Sequence, residues 1–324
     1  MSLRRIIAAL VIAVIASAAV FAVLAVVGDW PTVSSALRTF PPGTFALMLV
    51  LGVGCFAIRA LRWKWLMGLV GYPVPLADAL YLHMSGQSMV VTPGRVGEIF
   101  KPWLARETHS MPMSRGIGLI FCERVADLLA VCVLSLGGVA LLNVGAWGVL
   151  LAVGIVAAGV ALAQSAWFHR LALSVAARQS WARKHRDSTE ALSETVRLGL
   201  TWRVLLPSAA SSVVAWGLEG LGMYLCVRAL GFDGIDLPTT LSAYAVPTLV
   251  GAFTFLPGGI GGTEASMAAI LVALGMPVSA ATVATLLVRV ATLWWAVVLG
   301  WAALASRPAL FRRLFATMAS GDDA

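Results

Sequence analysis

Charged side chains recur in this chain where the surrounding sequence is almost wholly apolar. Arg95, Glu98, Glu123, Arg124, Asp127, Glu219, Glu264 and Arg289 each sit inside or at the edge of a hydrophobic block. The planar guanidinium fork of arginine grips a phosphate through two hydrogen bonds. Carboxylates held away from water either pair with such cations or carry protons. Glu98 and Glu264 each follow an unusual turn, Pro93-Gly94-Arg95-Val96-Gly97-Glu98 and Pro257-Gly258-Gly259-Ile260-Gly261-Gly262-Thr263-Glu264. A Pro-Gly turn in an apolar segment interrupts a helix and leaves free N–H groups at the restart, where the helix dipole favours an anion, phosphate above all. Pro93, Gly94, Gly97, Pro257, Gly258, Gly259, Gly261 and Gly262 are the expected helix-break residues. Arg95, Glu98, Glu123, Arg124, Asp127, Glu264 and Arg289 form the candidate binding set.

Each has a plainer reading beside this one. Glu123 and Asp127 share a helix face, with Arg124 three residues before Asp127, so the same trio fits an ion-pair network that locks helices together. Glu98 and Glu264 fall in the first turn after a break, where a carboxylate caps N–H groups as well as carrying a proton. Glu219 stands alone and suits a neutral carboxyl against a partner helix. Cys55, Cys122, Cys132 and Cys226 lie in apolar blocks without a CxxC pair, and His83, His109, His169 and His185 are scattered one per segment. With no metal-ligand spacing, nucleophile motif or nucleotide loop, no metal, cofactor or catalytic residue is expected.

The elements that must position these groups follow from composition. Of 324 residues, 60% are hydrophobic and 12% charged, and the mean hydropathy is +0.91. That excludes a soluble enzyme, a disordered chain and a disulfide scaffold, and leaves an all-α polytopic membrane protein. Six blocks are long enough to span: Ile6 to Val27, Phe45 to Leu66, Ile117 to Leu142, Val144 to Ala163, Val204 to Val227 and Val278 to Ala305. The first is expected to be retained, although Ala16-Ser17-Ala18 offers a cleavage site. Ala77 to Leu104 and Thr239 to Leu274 are each two short apolar stretches around a Pro-Gly break. They read as re-entrant helical hairpins, with pairs of short spans as the alternative of equal sidedness.

Basic residues then orient the chain. With the N-terminus inside, eighteen fall in cytoplasmic segments, among them Arg59, Arg62, Lys64 and Lys101, against Arg38 and Arg228 outside. The expectation is a cytoplasmic (inner) membrane protein with both termini in the cytoplasm. The net charge of +8 then points to anionic lipid at the cytoplasmic surface and not to nucleic acid. The connection 165–203 mixes seven basic residues with Trp167, Leu171, Val175 and Trp181, which suits an amphipathic helix on the inner leaflet or a solvated linker.

Three strings recur in order. Ile58-Arg59-Ala60-Leu61 is echoed by Val227-Arg228-Ala229-Leu230, the first Pro-Gly turn by the second, and Arg124-Val125-Ala126-Asp127-Leu128 by Arg289-Val290-Ala291-Thr292-Leu293. Pro93 precedes Arg124 by 31 residues and Pro257 precedes Arg289 by 32. The chain 1–324 is thus one transmembrane domain, with a span, hairpin and span in 45–142 and again, upside down, in 204–305. Inverted-topology repeats of this kind build transporters whose site lies at the repeat interface.

The strings Thr92-Pro93-Gly94-Arg95-Val96-Gly97-Glu98, Glu123-Arg124-Val125-Ala126-Asp127-Leu128-Leu129 and Leu256-Pro257-Gly258-Gly259-Ile260-Gly261-Gly262-Thr263-Glu264-Ala265 resemble the signature segments of the lysylphosphatidylglycerol synthase/flippase transmembrane-domain family. The resemblance covers nearly the whole chain. It implies movement of lipids between leaflets, with Arg95, Glu98, Glu123, Arg124, Glu264 and Arg289 along the headgroup path. Two-domain members carry an aminoacyl-transferase domain after the membrane part. This sequence shows none after Arg313, so synthesis of lysyl-lipid is not expected of it.

The expected function is therefore a flippase, not an enzyme, for a phosphate-bearing lipid such as an aminoacyl-phospholipid or a polyprenyl-phosphate-linked sugar. Coupling to protons would run through Glu98 or Glu264. The competing readings are a membrane enzyme of lipid or glycan assembly with Glu98 or Asp127 as base, and a non-transporting scaffold that partners a lipid-biosynthetic enzyme. The lipid, the direction and the oligomeric state stay open.

Overall fold

The computed structural model describes residues 3–91, 98–136, 154, 186–254, 256–310 and 312. Among them every regular element is helical: α1 Leu3–Val27, α2 Trp30–Thr39, α3 Pro42–Leu69, α4 Leu76–Gln87, α5 Phe100–His109, α6 Met113–Ser135, α7 Arg186–Gly199, α8 Trp202–Ala229, α9 Leu237–Phe253, α10 Gly262–Ala273, α11 Val278–Arg289 and α12 Trp295–Ala305.

Three stretches are long and apolar enough to cross a bilayer: α3, α8 and the run Val278–Ala305, each of 28 residues, or about 42 Å at 1.5 Å per residue. Val278–Ala305 stays continuous through a π-helical turn at Val290–Trp294 that joins α11 to α12. Val11–Val27 and Trp30–Thr39 make a fourth candidate, bent by 106°, because Asp29 takes φ 65° between them. Side chains such as Val11, Ile15, Val26, Val50, Leu61 and Val298 are exposed, the apolar exterior that lipid requires of a multi-pass membrane protein.

Of the six expected spans, these account for four, with the first turning sharply into α2. The expected span Ile117 to Leu142 is described as far as Leu136, within and just beyond α6, and carries Glu123, Arg124 and Asp127 on its inward side. Val144 to Ala163 lies outside the described residues except for Gly154.

Helices α3 and α8 form the central pair and run antiparallel. Met48 lies against Gly222 at one end, Cys55 meets Glu219 midway, and Arg62 meets Ser212 toward the other end. Both helices stop in the same way. Gly71 and Gly231 take φ +90°, and the next residue donates its N–H five residues back, Tyr72 to Met67 O at 2.9 Å and Phe232 to Val227 O at 3.2 Å. This is a Schellman ending that only glycine adopts without strain. A second shared signal is a positive-φ residue, a buried methionine and a proline before a helix: Ser110-Met111-Pro112 before α6 and Gly275-Met276-Pro277 before α11.

After each central helix comes a hairpin of shorter helices, α4 with α5 and α9 with α10. The longest of the four, α9, has 17 residues, about 26 Å of rise against a hydrocarbon core of about 30 Å. Each hairpin enters and leaves at one end of the bundle. Val74, Leu104 and Met111 share an apolar cluster with the end of α3, and Ile235, Leu271 and Met276 share another with the end of α8. Because α3 and α8 are antiparallel, the two hairpins come from opposite ends. Their tips meet: Val91 lies against Gly258, and Val91, Ile260 and Leu293 pack together beneath Ala13 of α1.

Close backbone contacts hold the hairpins to the long helices. A Cβ on Gly300 of α12 would fall 2.3 Å from the Ser88 amide nitrogen, so α12 and the end of α4 touch backbone to backbone. Gly300→Ala is expected to force them apart at an overpacking cost of about 1–3 kcal/mol, read as a lower Tm in detergent. An unchanged Tm would show that the two helices do not touch there.

At the mouth of the first hairpin, outside the apolar spans, Arg307 pairs with Asp78, His109 Nε2 lies 3.2 Å from the same carboxylate, and the Arg307 guanidinium sits 4.3 Å from the Tyr81 ring centre. Chiefly through its hydrogen bond with Arg307, Asp78 is held below its ordinary pKa of 3.8. A carboxylate lowered on folding stabilises the fold above its unfolded pKa and stops doing so as pH falls through its native one. Asp78→Asn is expected to lower Tm at neutral pH, with the gap from wild type closing in acid. A pH-independent gap would contradict this clasp.

The described part of the 165–203 connection is the amphipathic helix α7. It turns Thr195 and the following Leu200 inward against α6, where Gly118 admits Thr195, and adds an Arg115–Glu194 ion pair of 3.0 Å.

Candidate functional site

Where the hairpin tips meet the central pair, a cavity of about 140 Å³ opens between the two halves of the chain. Arg59, His83, Glu98, Lys101, Glu123 and Arg124 line it from one half, and Trp216, Glu219, Tyr244, Gly258, Gly259 and Arg289 from the other.

One wall is a charge network built on α6, whose one-turn spacing stacks Glu123 and Asp127 on the face toward α3. Arg62 bridges them, donating to Asp127 Oδ1 at 3.0 Å and to Glu123 Oε1 at 3.3 Å. Ser212 donates to Asp127 Oδ1 at 2.8 Å. Lys101 Nζ pairs with the far oxygen of Glu123 and lies 3.6 Å from the Trp63 ring centre. Arg124 reaches Asp127 at 3.0 Å and Glu98 at 3.5 Å, and Arg59 stands 3.7 Å from Asp127. Burying so many ions is costly unless each is paired, and here every ion of this wall has an oppositely charged partner.

The opposite wall is the turn before α10. Gly258 and Gly259 take φ 58° and 68°, and Gly261 φ 90°, left-handed values that favour glycine. Glu264, fully buried, accepts the Gly261 N–H at 2.6 Å and Arg289 Nε–H at 2.6 Å. Arg289 also donates to Gly258 O at 2.7 Å. Glu264 thus caps its helix and anchors Arg289 at once.

Glu219 lies between the walls. Tyr244 donates its hydroxyl proton to Oε2 at 2.6 Å and the Cys55 thiol lies 3.3 Å from Oε1. Arg59 Nε–H points to Cys55 Sγ at 3.2 Å, and its guanidinium stacks 4.3 Å from a Trp216 ring centre. Among the described residues the network brings Arg59, Arg62, Lys101, Arg124 and Arg289 together with Glu98, Glu123, Asp127, Glu219 and Glu264.

Three buried nitrogen atoms on the cavity-lining residues have no hydrogen-bond partner among the described residues: His83 Nδ1, Arg124 Nε and Trp216 Nε1. With Gln87 Nε2 3.2 Å from His83 Nε2 and donating to it, the ring proton of His83 sits on Nδ1. Unpaired buried donors cost free energy. Among the described residues no group of acids, cysteines and histidines is placed to hold a metal ion.

Of the residues predicted from sequence, Glu98, Glu123, Arg124, Arg289, Gly258 and Gly259 border the cavity. Asp127 and Glu264 stand behind it holding cations, and Pro257, Gly261 and Gly262 shape the turn. Pro93, Gly94, Arg95 and Gly97 lie outside the described residues. Sequence reasoning misplaced Arg59, Arg62 and Lys101, counted among the cytoplasmic interface charges, for all three are buried in this network while Lys64 is exposed. The acids of α6 draw them inward. The available signal was the three-residue spacing of Arg59 and Arg62, which sets them on one helix face with Cys55 and away from Lys64.

Comparison with known proteins extends the picture. A family model described as the lysylphosphatidylglycerol synthase TM region matches residues 6–300. A UPF0104 membrane protein of Methanothermobacter thermautotrophicus is 23% identical over 282 residues, covering 79% of this chain and 80% of that protein. The glycosyltransferase AglD of Haloferax volcanii is 27% identical over 123 residues, 37% of this chain and 19% of its own length.

Proposed function

We propose, from the premise that this chain belongs to the lysylphosphatidylglycerol synthase transmembrane-region family, that it is a flippase moving a phosphate-bearing lipid between membrane leaflets by alternating access. The observation that carries this reading is the cavity at the meeting point of two opposed hairpins, lined by the charged donors Arg124 and Arg289. Such donors suit an anionic, acceptor-rich headgroup. A site built where two broken helical hairpins meet is the arrangement that lets one half rock against the other.

The antiparallel 28-residue helices α3 and α8, their matching glycine endings and the repeated Met-Pro signal support an inverted-topology repeat. The hairpins are then re-entrant, one from each side of the membrane. The headgroup is held between the tips while its tails stay in lipid. The basic segments favour a cytoplasmic membrane with both termini inside and anionic lipid at the inner surface. The similarity to part of a glycosyltransferase favours work beside an enzyme of lipid or glycan assembly, and an aminoacyl-phospholipid or a polyprenyl-phosphate-linked sugar as cargo.

Leaflet exchange in proteoliposomes tests the proposal. Phosphate-bearing lipids are expected to cross faster than in protein-free vesicles while an uncharged diacylglycerol gains nothing. Equal acceleration of both would overturn the headgroup reading.

A further inference from the structure

We infer that the π-helical turn Val290–Trp294 is the hinge of the transport cycle, with α12 moving together with the first hairpin and α11 with the second. The inference rests on the reading of this chain as an alternating-access flippase and adds the place where it bends.

The run Val278–Ala305 is shared between the two hairpins. On its first half, Arg289 Nε–H donates to Glu264 of α10 at 2.6 Å, and Ala281, Ala284 and Val288 pack in one apolar cluster with Met267 and Leu271 of the same helix. Past the π turn the partners change. Gly300 touches the backbone at Ser88, Leu304 packs with Met89 and Phe100, and Arg307, just beyond α12, pairs with Asp78 of α4. Trp295 also donates its indole N–H to Leu49 O of α3 at 3.2 Å. When one hairpin rocks against the other, a helix gripped by both must bend between the two grips.

The π turn is suited to bending. The Trp295 N–H reaches Val290 O, five residues back, where an α-helix reaches four. Turns of this kind are where helices kink, and they gather at functional sites. Thr292 Oγ1–H donates to Val288 O at 2.8 Å, a back-bond that weakens and bends a helix further. The repeated string does not impose the turn. Arg124-Val125-Ala126-Asp127-Leu128 is regular α-helix within α6, whereas its echo Arg289-Val290-Ala291-Thr292-Leu293 opens into the π turn. The turn therefore comes from the packing around this one span.

Its position puts the bend at the site. Arg289, Thr292, Leu293 and Ala296 line the cavity, and Leu293 lies against Gly258 and packs with Val91, one residue from each hairpin tip. On the side toward α3, a Cβ on Gly52 would stand 3.2 Å from Ala291 O, so the turn rests on bare backbone. A change of bend there widens or narrows the space between the tips.

Distances between spin labels test the hinge in the full-length protein, reconstituted in bilayers containing phosphatidylglycerol. Leu76→Cys on α4, Val272→Cys on α10, Val278→Cys at the start of α11 and Val298→Cys on α12 all replace exposed side chains, and the four native cysteines are buried. The pairs Leu76–Val298 and Val272–Val278 each lie within one moving unit and are expected to give a single distance. The pair Val272–Val298 crosses the hinge and is expected to give two. A single distance for that pair would overturn the rocking, and the hinge with it. Two distances for it together with two for either of the other pairs would keep the rocking and overturn the hinge, because α12 or α11 would then part from its hairpin.

Deletion of Ala291 supplies a second test. A π turn holds one residue more than an α-helical turn, so the deletion restores regular helix and leaves Arg289 and Gly300 facing their partners. The deleted protein is expected to stay folded, to collapse Val272–Val298 to one distance and to lose most of the wild-type leaflet exchange. Two distances that persist in the folded deletion variant would overturn the hinge. Should the deletion prevent folding, the distances in otherwise wild-type protein still decide the matter.

Discussion

Arg62→Ala is expected to destabilise the folded protein by about 3–5 kcal/mol, the penalty for breaking a buried ion pair by removing one partner. Arg62 is 4% exposed and, among the described residues, is the one side chain within ion-pair distance of both Glu123 and Asp127. Its loss leaves Asp127 to Arg124 and the more distant Arg59, and Glu123 to Lys101 as its one remaining ion pair among the described residues. A loss of that size is a large share of the 5–15 kcal/mol typical of folded domains. Unfolding in mild detergent should show a much lower Tm or poor recovery of folded protein. Arg62→Lys, which keeps the charge but not the fork that spans two carboxylates, should recover part of the loss. An Arg62→Ala protein as stable as wild type would mean that α3 and α6 are not joined through this network.

Arg124→Ala is expected to separate function from folding. Its side chain is 36% exposed, its partner Glu98 is 22% exposed, and Asp127 keeps Arg62 when it is gone, so the structural cost is far smaller than for Arg62. What disappears is a charged donor on the cavity. A hydrogen bond from a charged group is worth about 1.5–3 kcal/mol, so exchange of a phosphate-bearing lipid should slow by about 10- to 150-fold with Tm little changed. A variant that exchanges lipid at the wild-type rate would remove Arg124 from the headgroup path. A variant that loses transport only because it unfolds would make Arg124 a second structural arginine like Arg62.

The contrast between these arginines shows how far the sequence could be read. Long apolar runs made α3, α8 and Val278–Ala305 legible, since nothing but a bilayer or a large core accounts for 28 such residues. The Pro257-Gly258 break made the boundary between α9 and α10 legible, because proline interrupts a helix and the glycines take left-handed angles. Arg59 and Arg62, beside Trp63 and Trp65, carry the same signature as side chains that snorkel to an interface. Only the position of α6 in three dimensions reveals that Glu123 and Asp127 pull them inward. Lys101, between Phe100 and Pro102, was hidden for the same reason.

Glu219 was recognised as an isolated acid, but its partners lie 25 and 164 positions away at Tyr244 and Cys55, a pairing no local pattern encodes. Glu264 was open to capping or to function, and it both caps Gly261 and holds Arg289. The bend between α1 and α2 escaped notice because it depends on Asp29 adopting φ 65°, which a lone aspartate seldom announces.

The measurement that bears most directly on the central claim is leaflet exchange in proteoliposomes of headgroup-labelled phosphatidylglycerol, its lysyl ester and a polyprenyl-phosphate sugar, by wild type and Arg124→Ala side by side. The account predicts that wild type accelerates at least one of these lipids over protein-free vesicles and that Arg124→Ala, equally folded, loses most of that acceleration. Failure of the wild-type protein to accelerate any of the three, with or without a proton gradient, would contradict it.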